Sequence, residues 1–267
     1  MTTKKRTSGL QLAIKTSVVS GMTLISRILG LVRDIVFARY FGASLVMDAF
    51  LVANRIPNML RRFFAEGAFS AGFVPVMARY RERHNHEEAR EFVDAIAGTF
   101  GIILFLVTLA GVIAAPLLVA IVAPGFIGDD SRFELATLML RFTFPYLFFV
   151  SLTAFAGGIL NTYGRFGVPA FTPVLLNVVL ISAAIWLSPH LEQPVMALAY
   201  AVFIAGIVQL LFQLPFLAQI HALPRPKWAI AHEGVARALK LMLPAIFGSS
   251  VAQINVLLGG IIASMLG

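Results

Sequence analysis

The sequence has no cysteine and little charge, and both scarcities narrow what the protein can be. With no cysteine among its 267 residues, the chain has no disulfide, no thiolate nucleophile and no cysteine-based metal site. Charged residues make up 13% of the chain, against about 25% in an ordinary soluble domain. Because a soluble fold needs charge to cover its surface, this composition argues against a soluble protein.

Hydrophobic residues, by contrast, make up 59% of the chain, and the mean hydropathy is +0.87. They form runs of about 20 residues or more, without the period-two alternation that the strands of a membrane barrel would show. The sequence therefore predicts an all-α integral membrane protein, a polytopic helical bundle. We predict seven spans, at roughly 10–38, 45–78, 92–123, 133–160, 168–188, 194–219 and 235–266.

The distribution of basic residues between the loops predicts the orientation. Loops on the side of the N-terminus carry thirteen Lys and Arg residues, whereas the opposite loops carry two, Arg39 and Arg132. Because Lys and Arg in short loops stay on the cytoplasmic side, the N-terminus is predicted to be cytoplasmic. This distribution also explains the net charge of +8, so we expect no nucleic-acid partner. No metal or other cofactor is expected, since no carboxylate-rich span accompanies the closely spaced His84 and His86.

Charged residues crowd the first two predicted spans and the loop between them: nine lie between Thr16 and Ala78. They are Arg27, Arg33, Asp34, Arg39, Asp48, Arg55, Arg61, Arg62 and Glu66. One charge at the centre of a lipid-facing helix costs about 2.5–3.5 kcal/mol, so this many cannot face acyl chains. Either the charged faces line a polar cavity enclosed by protein, or residues 45–66 form an amphipathic helix on the membrane surface.

The type of charge indicates what such a cavity would hold. Arginine presents a planar fork of donors suited to phosphate and carboxylate, and it stays charged when buried. A proton relay would need carboxylates or histidines in the later spans, which have almost none. A voltage sensor would place arginine at every third position of one helix, a pattern that the sequence lacks. The cluster therefore favours a large anionic substrate that bears phosphates.

The same segment carries a dense set of motifs. They are Ser26–Asp34, Phe41–Ala43, Asp48–Phe50, Pro57–Arg62, Phe64–Ser70 and Phe73–Pro75, followed by Ala123–Phe126, Phe144–Tyr146, Ile159–Thr162, Pro169–Pro173 and Gln213–Pro215. This set resembles the MurJ (MviN) family of lipid II flippases, within the multidrug/oligosaccharidyl-lipid/polysaccharide exporter superfamily. The resemblance covers essentially the whole chain.

The resemblance implies a fold and a division of the chain. The chain resembles the first six-helix lobe of an exporter-type transporter plus most of a seventh helix. Residues 1–222 are accordingly expected to form the N-terminal transmembrane lobe with six spans. Residues 223–267 are expected to form a cytoplasmic linker and the truncated start of a second lobe.

The resemblance also implies an activity that composition alone does not. Such a protein would be a transporter rather than an enzyme, and would translocate lipid II across the bacterial cytoplasmic (inner) membrane by alternating access of a cationic cavity. Lipid II is an undecaprenyl-pyrophosphate-linked disaccharide pentapeptide used in peptidoglycan synthesis. The implied partners are lipid II, membrane lipids and a coupling ion or the membrane potential, and the full-length protein would be monomeric.

Two other readings stay open at this point. Another exporter of the superfamily, such as a polysaccharide-lipid flippase or a drug/ion antiporter, would share the fold. An antiporter would, however, carry intramembrane carboxylates and fewer arginines. A membrane enzyme acting on polyprenyl pyrophosphates would need aspartate clusters or a His/Arg phosphatase motif, and no loop of the sequence contains one.

Seven residues form the predicted substrate-binding set, and each is assigned through the resemblance. Arg27, Arg33 and Arg61 match cavity arginines, and Asp34 matches the partner that holds Arg33. The other members are Asp48 and Glu66, at acidic positions near the cavity and its cytoplasmic gate, and Arg55, where the family tolerates another basic residue. No catalytic residue is predicted.

Overall fold

A computed structural model describes residues 2–62, 69–83, 86–229, 231–244 and 261 of the chain. Within these residues the chain is helical and contains no strand, which confirms the all-α fold. The helices are α1 (Thr2–Tyr40), α2 (Leu45–Arg61), α3 (Phe69–Arg83), α4 (His86–Ile113), α5 (Ala115–Val122), α6 (Asp130–Thr143), α7 (Tyr146–Thr162), α8 (Gly167–Ser182), α9 (Met196–Gln219) and α10 (233–244).

Four helical stretches in the described part of the chain are long and apolar enough to cross a membrane. They are Glu87–Ile113, Asp130–Thr162, Gly167–His190 and Met196–Gln219, and they match the third to sixth predicted spans. The first predicted span is contained in α1. The second contains α2 and most of α3, which continues to Arg83. Residues 63–68 between these helices lie outside the described residues, as does most of the seventh span.

Proline shapes α2 and determines how it is held in the bundle. Pro57 lies inside α2 and has no amide hydrogen, so the carbonyl of Ala53, one turn earlier, lacks its intrahelical donor. Thr143 of α6 supplies that donor: its hydroxyl lies 3.1 Å from the Ala53 oxygen, and its side chain is fully buried. The face of α2 that carries Ala49, Phe50 and Ala53 is also buried. As a packed member of the bundle, α2 is not a helix that lies alone on a membrane surface.

Helices α1 and α2, which carry the predicted site arginines, diverge from the turn that joins them. Near that turn the rings of Phe37 and Phe50 are in contact, with 6.1 Å between their centroids. Further along, α1 packs against α8, whereas α2 packs against α6 and α7. The long helices α7 and α9 pack against each other and also contact α8. The charged side chains of α1 and those of α2 therefore lie on two separate sides of the lobe. The contact between α7, which packs on α2, and α8, which packs on α1, joins the two sides.

Candidate functional site

Arg33 is the centre of a polar cluster on α1. Its Nε and Nη2 donate to Oδ1 of the neighbouring Asp34 at 3.0 and 2.8 Å, and its Nη1 donates to Oδ1 of Asn177 at 3.1 Å. The guanidinium carbon lies 5.8 Å from the ring centroid of Phe37, a cation–π distance. The structure therefore brings together Arg33 and Asp34, as the resemblance implied, and adds an amide from α8.

Asn177 fixes the position of α1 as well as the Arg33 side chain. It is 5% exposed, and its Nδ2 donates to the main-chain carbonyl of Ser26 at 3.1 Å. Because that carbonyl can only accept, the amide oxygen must face Arg33, and the two hydrogen bonds fix the amide orientation. Sequence reasoning missed Asn177. The signal was a polar side chain within the otherwise apolar span 168–188, which in a membrane helix marks a packing or functional contact.

The Arg33 guanidinium keeps donors for a ligand. Of its five N–H groups, three are used by residues that the structure describes, which leaves two. The Arg33 side chain is 29% exposed and that of Asp34 63% exposed. Arg27 lies seven residues before Asp34, on the same face of α1, and is also exposed. Together these side chains form a cationic edge along α1 beside the face that α8 covers.

Arg61 lies in a different environment, a cleft between α2, α3, α7, α8 and α9. This polar cleft has a volume of about 440 Å³ and includes Arg61, Asn161, Thr172, Gln209 and Gln213 in its lining. Both glutamines are buried within the apolar helix α9. Sequence reasoning found Arg61 but not the glutamines, although two amides four residues apart in a predicted span were a visible signal.

A second cleft, of about 600 Å³, shares Val74 and Asn161 with the polar cleft. Arg81 of α3 lies in its lining and donates a hydrogen bond to the carbonyl of Thr162, at the end of α7. The Arg81 guanidinium carbon also lies 4.8 Å from the ring centroid of Tyr163. An arginine that satisfies a last-turn carbonyl stabilises a helix end, so Arg81 is a structural contact between α3 and α7.

Asp48 is placed apart from Arg33, at the end of the bundle where α1 and α2 join. Oδ2 of Asp48 lies 3.4 Å from Nη2 of Arg132, at the start of α6. Asp129 is 3.8 Å from Nε of the same guanidinium, whose carbon lies 4.6 Å from the ring centroid of Phe126. This end is opposite the N-terminus of α1, so the contact does not place Asp48 near the predicted cytoplasmic side.

Two predicted site residues remain. Arg55 is half-buried on α2 and has no ion pair with another described residue. Glu66 lies outside the described residues. Among the described residues there is also no group of three or more His, Cys, Asp or Glu side chains that could hold a metal ion.

Known proteins and a known family are similar to this chain over most of its length. A family model described as Lipid II flippase MurJ matches residues 37–267. "Probable lipid II flippase MurJ" of Haemophilus influenzae is 49% identical over 252 residues, which cover 92% of this chain and 49% of that protein. "Lipid II flippase MurJ" of Burkholderia cenocepacia is 47% identical over 253 residues, covering 93% and 49%.

A solved structure gives the same result. "Lipid II flippase MurJ, inward closed conformation" superposes with a TM-score of 0.76 at 29% identity, covering 93% of this chain and 51% of that one. The chain spans about half the length of the curated relatives it matches. Together with the four apolar helices, the matches identify a multi-pass membrane protein of the bacterial inner membrane. Since the family model covers most of its residues, the chain belongs to the MurJ family of lipid II flippases.

Proposed function

We propose that this chain forms the N-terminal lobe of a lipid II flippase and contributes the cationic wall of its substrate cavity. The complete protein moves the undecaprenyl-pyrophosphate-linked precursor from the cytoplasmic to the outer leaflet by alternating access. Family membership and the similarity to proteins named lipid II flippase support this proposal.

The observation that carries the proposal is the Arg33 cluster. A guanidinium held on one side by Asp34 and Asn177 keeps two N–H donors and a partly exposed edge. Planar forked donors match the oxygens of a pyrophosphate, and the positive charge of the guanidinium strengthens those hydrogen bonds. Asp34 holds the fork in one orientation, and its own exposure keeps the pair accessible to a ligand.

The proposal extends to the organisation of the protein in the membrane. Residues 1–222 form the first transmembrane lobe, and residues 223–267 form a cytoplasmic linker and the start of a second lobe. The N-terminus lies in the cytoplasm, as the distribution of Lys and Arg favours. The protein acts as a monomeric transporter without a cofactor, and transport is coupled to an ion gradient or to the membrane potential.

A depletion experiment tests this function. The complete gene is placed under controlled expression in a bacterium without another lipid II flippase, and lipid II exposed on the outer leaflet is measured after shut-off. We expect exposure to fall and to be restored by the wild-type protein but not by Arg33→Ala. The control is Arg237→Ala, which removes an exposed arginine whose partner is Glu233 on its own helix. Unchanged exposure after depletion of the wild-type protein would rule the function out.

A further inference from the structure

The polar cleft holds two amides that the Arg33 cluster does not use. Gln209 and Gln213 are 3% and 1% exposed, on an otherwise apolar helix. They are four residues apart, so they lie on the same face of α9, about 6 Å apart along the helix axis. The cleft volume of about 440 Å³ falls in the range of about 300–1,000 Å³ that is typical of small-ligand pockets.

Both amides have an orientation that the hydrogen bonds determine. Nε2 of Gln209 donates to the main-chain carbonyl of Thr172 at 3.0 Å. Nε2 of Gln213 donates to Oγ1 of Thr172 at 3.0 Å, and that hydroxyl donates its one hydrogen to the carbonyl of Val168. Because the Thr172 carbonyl and the committed hydroxyl can only accept, each glutamine must present its nitrogen to α8. The amide oxygens are therefore fixed acceptors.

These two oxygens are buried but unsatisfied. Within the described part of the chain, neither Oε1 atom has a hydrogen-bond partner. Buried acceptors are nearly always paired, so an unpaired one in the lining of a cleft indicates a ligand that donates. The one charged side chain that the described lining contains is that of Arg61, which is positive. A positive neighbour disfavours a cation, so the complementary group is a neutral O–H or N–H donor.

We propose that Gln209 and Gln213 form a subsite that accepts hydrogen bonds from the sugar part of the substrate. The inference rests on the proposed function and extends it to the portion of lipid II that carries no charge. In that molecule the sugars follow the pyrophosphate directly, and their hydroxyl and N-acetyl N–H groups are neutral donors. Arg61 lies in the same cleft lining as the glutamines, so a pyrophosphate beside Arg61 would bring the adjoining sugar towards them.

Two glycines line the cleft beside the glutamines. They are Gly157 and Gly158 of α7. A Cβ at Gly157 would lie 3.2 Å from Cβ of Pro169 and 3.7 Å from Oε1 of Gln213. A side chain at this position would therefore press on Pro169, so glycine allows α7 and α8 to pack closely beside the two glutamines.

Equilibrium binding with three probes tests the subsite in the purified full-length protein. The probes are undecaprenyl pyrophosphate, the same lipid carrying the disaccharide without peptide, and complete lipid II. The variants are Gln209→Met and Gln213→Met, which keep the length of the side chain and remove the amide, both its unpaired acceptor and its donor to Thr172. The control is Gln219→Met, the same change at an exposed position near the end of α9.

We expect each single variant to lose about threefold to tenfold in affinity for the disaccharide probe, and the double variant more, as neutral hydrogen bonds of this kind contribute. Affinity for undecaprenyl pyrophosphate should not change, and Gln219→Met should match the wild type with all probes. This sugar-dependent difference is a readout that a purely structural role of the glutamines would not produce.

Three results would overturn the inference. Equal losses with all probes would show that the glutamines only hold α8 to α9, and no loss would show that the cleft does not take the sugar. A loss that appears only with complete lipid II would assign the subsite to the peptide. If the wild-type protein binds none of the three lipids, the proposed function fails, and the inference fails with it. If the wild-type protein does bind, any one of the three results above overturns the inference and leaves the proposed function standing.

Discussion

Helices α1 and α2, which carry the predicted site arginines, are held in the lobe by different contacts. Comparing Arg33 of α1 with Arg132 of α6, which pairs with α2, separates a binding arginine from a structural one. On α1, Arg33 is paired with one carboxylate, from the adjacent residue of its own helix, and with one amide. Asp48 of α2 faces Arg132, which also has Asp129 and the ring of Phe126 around it. The Arg33 side chain is 29% exposed, that of Arg132 15%.

The surroundings of each guanidinium explain what it can do. Two carboxylates and an aromatic ring neutralise and enclose Arg132, so a further anion would gain little there. Among the described residues, Arg33 has one carboxylate beside it and two N–H donors without a partner, and Arg27 adds positive charge along the same helix. The surplus of positive charge and of donors, rather than the number of arginines, therefore distinguishes a site for an anion from a junction between helices.

The largest expected effect comes from removing the Arg33 charge while keeping a polar side chain. We expect Arg33→Gln to weaken binding of undecaprenyl pyrophosphate to the full-length protein by about tenfold to a hundredfold, because charge-assisted hydrogen bonds are lost. Titration of the purified protein with the lipid measures this affinity. An affinity equal to that of the wild type would remove Arg33 from the binding site.

The same substitution at Arg132 should give the opposite pattern. Arg132→Gln leaves Asp48 and Asp129 without their shared cation, so we expect a loss of about 2 kcal/mol in stability, between the values for exposed and buried pairs. The affinity for undecaprenyl pyrophosphate should not change. Thermal unfolding of the purified variant in detergent measures the first effect, and the same lipid titration measures the second. A variant that is stable but binds the lipid weakly would contradict the structural role.

Asn177 provides an intermediate test, because it acts on Arg33 without contributing charge. Asn177→Leu removes the acceptor for Arg33 and the donor for the Ser26 carbonyl. We expect about a threefold to tenfold loss in affinity, since the guanidinium loses one of its fixed contacts. The control is Asn58→Leu on α2, whose amide donates to the carbonyl of Asn54 in its own helix. If both variants lose affinity equally, the hydrogen bonds by which Asn177 joins α8 to α1 have no special role in binding.

The sequence predicted the helical class and the apolar spans because their signal is local. Long runs without charge, such as Ile102–Val122, have one stable solution in a bilayer, and the structure shows helices there. The pairing of Arg33 with Asp34 could also be predicted, because the two residues are adjacent in the sequence and lie close together in any fold. The bend between α4 and α5 lies at Ala114, two residues before Pro116, where the missing amide hydrogen interrupts the helix.

The partners that come from distant parts of the chain could not be predicted in this way. Asn177 is separated from Arg33 by 144 residues, and Arg132 from Asp48 by 84. Charge alone could pair Asp48 with any nearby cation, so its pairing with Arg132 follows only from the packing of α2 on α6. The two glutamines of α9 were passed over because an uncharged amide perturbs hydropathy less than an arginine does. Their role becomes visible once the hydrogen bonds to Thr172 fix their orientation.

The smallest effect concerns a second polar contact between α2 and α6, besides that of Asp48 with Arg132. It is the hydrogen bond from the Thr143 hydroxyl to the Ala53 carbonyl. Thr143→Val keeps the shape of the side chain but leaves that carbonyl, which Pro57 has already deprived of its helical donor, without a partner. We expect a loss of about 1 kcal/mol. In a chain of this size that lowers the midpoint of thermal unfolding by about 2–4 °C, and lipid affinity should not change.

Thr137, on the same helix, offers a matched control for this measurement. Its hydroxyl is buried and has no hydrogen-bond partner among the described residues. Thr137→Val therefore removes an unsatisfied polar group, and the midpoint should stay the same or rise. If Thr143→Val and Thr137→Val shift the midpoint equally, loss of a hydroxyl in itself is responsible. A fall with Thr143→Val alone would show that α2 is held at its proline by α6.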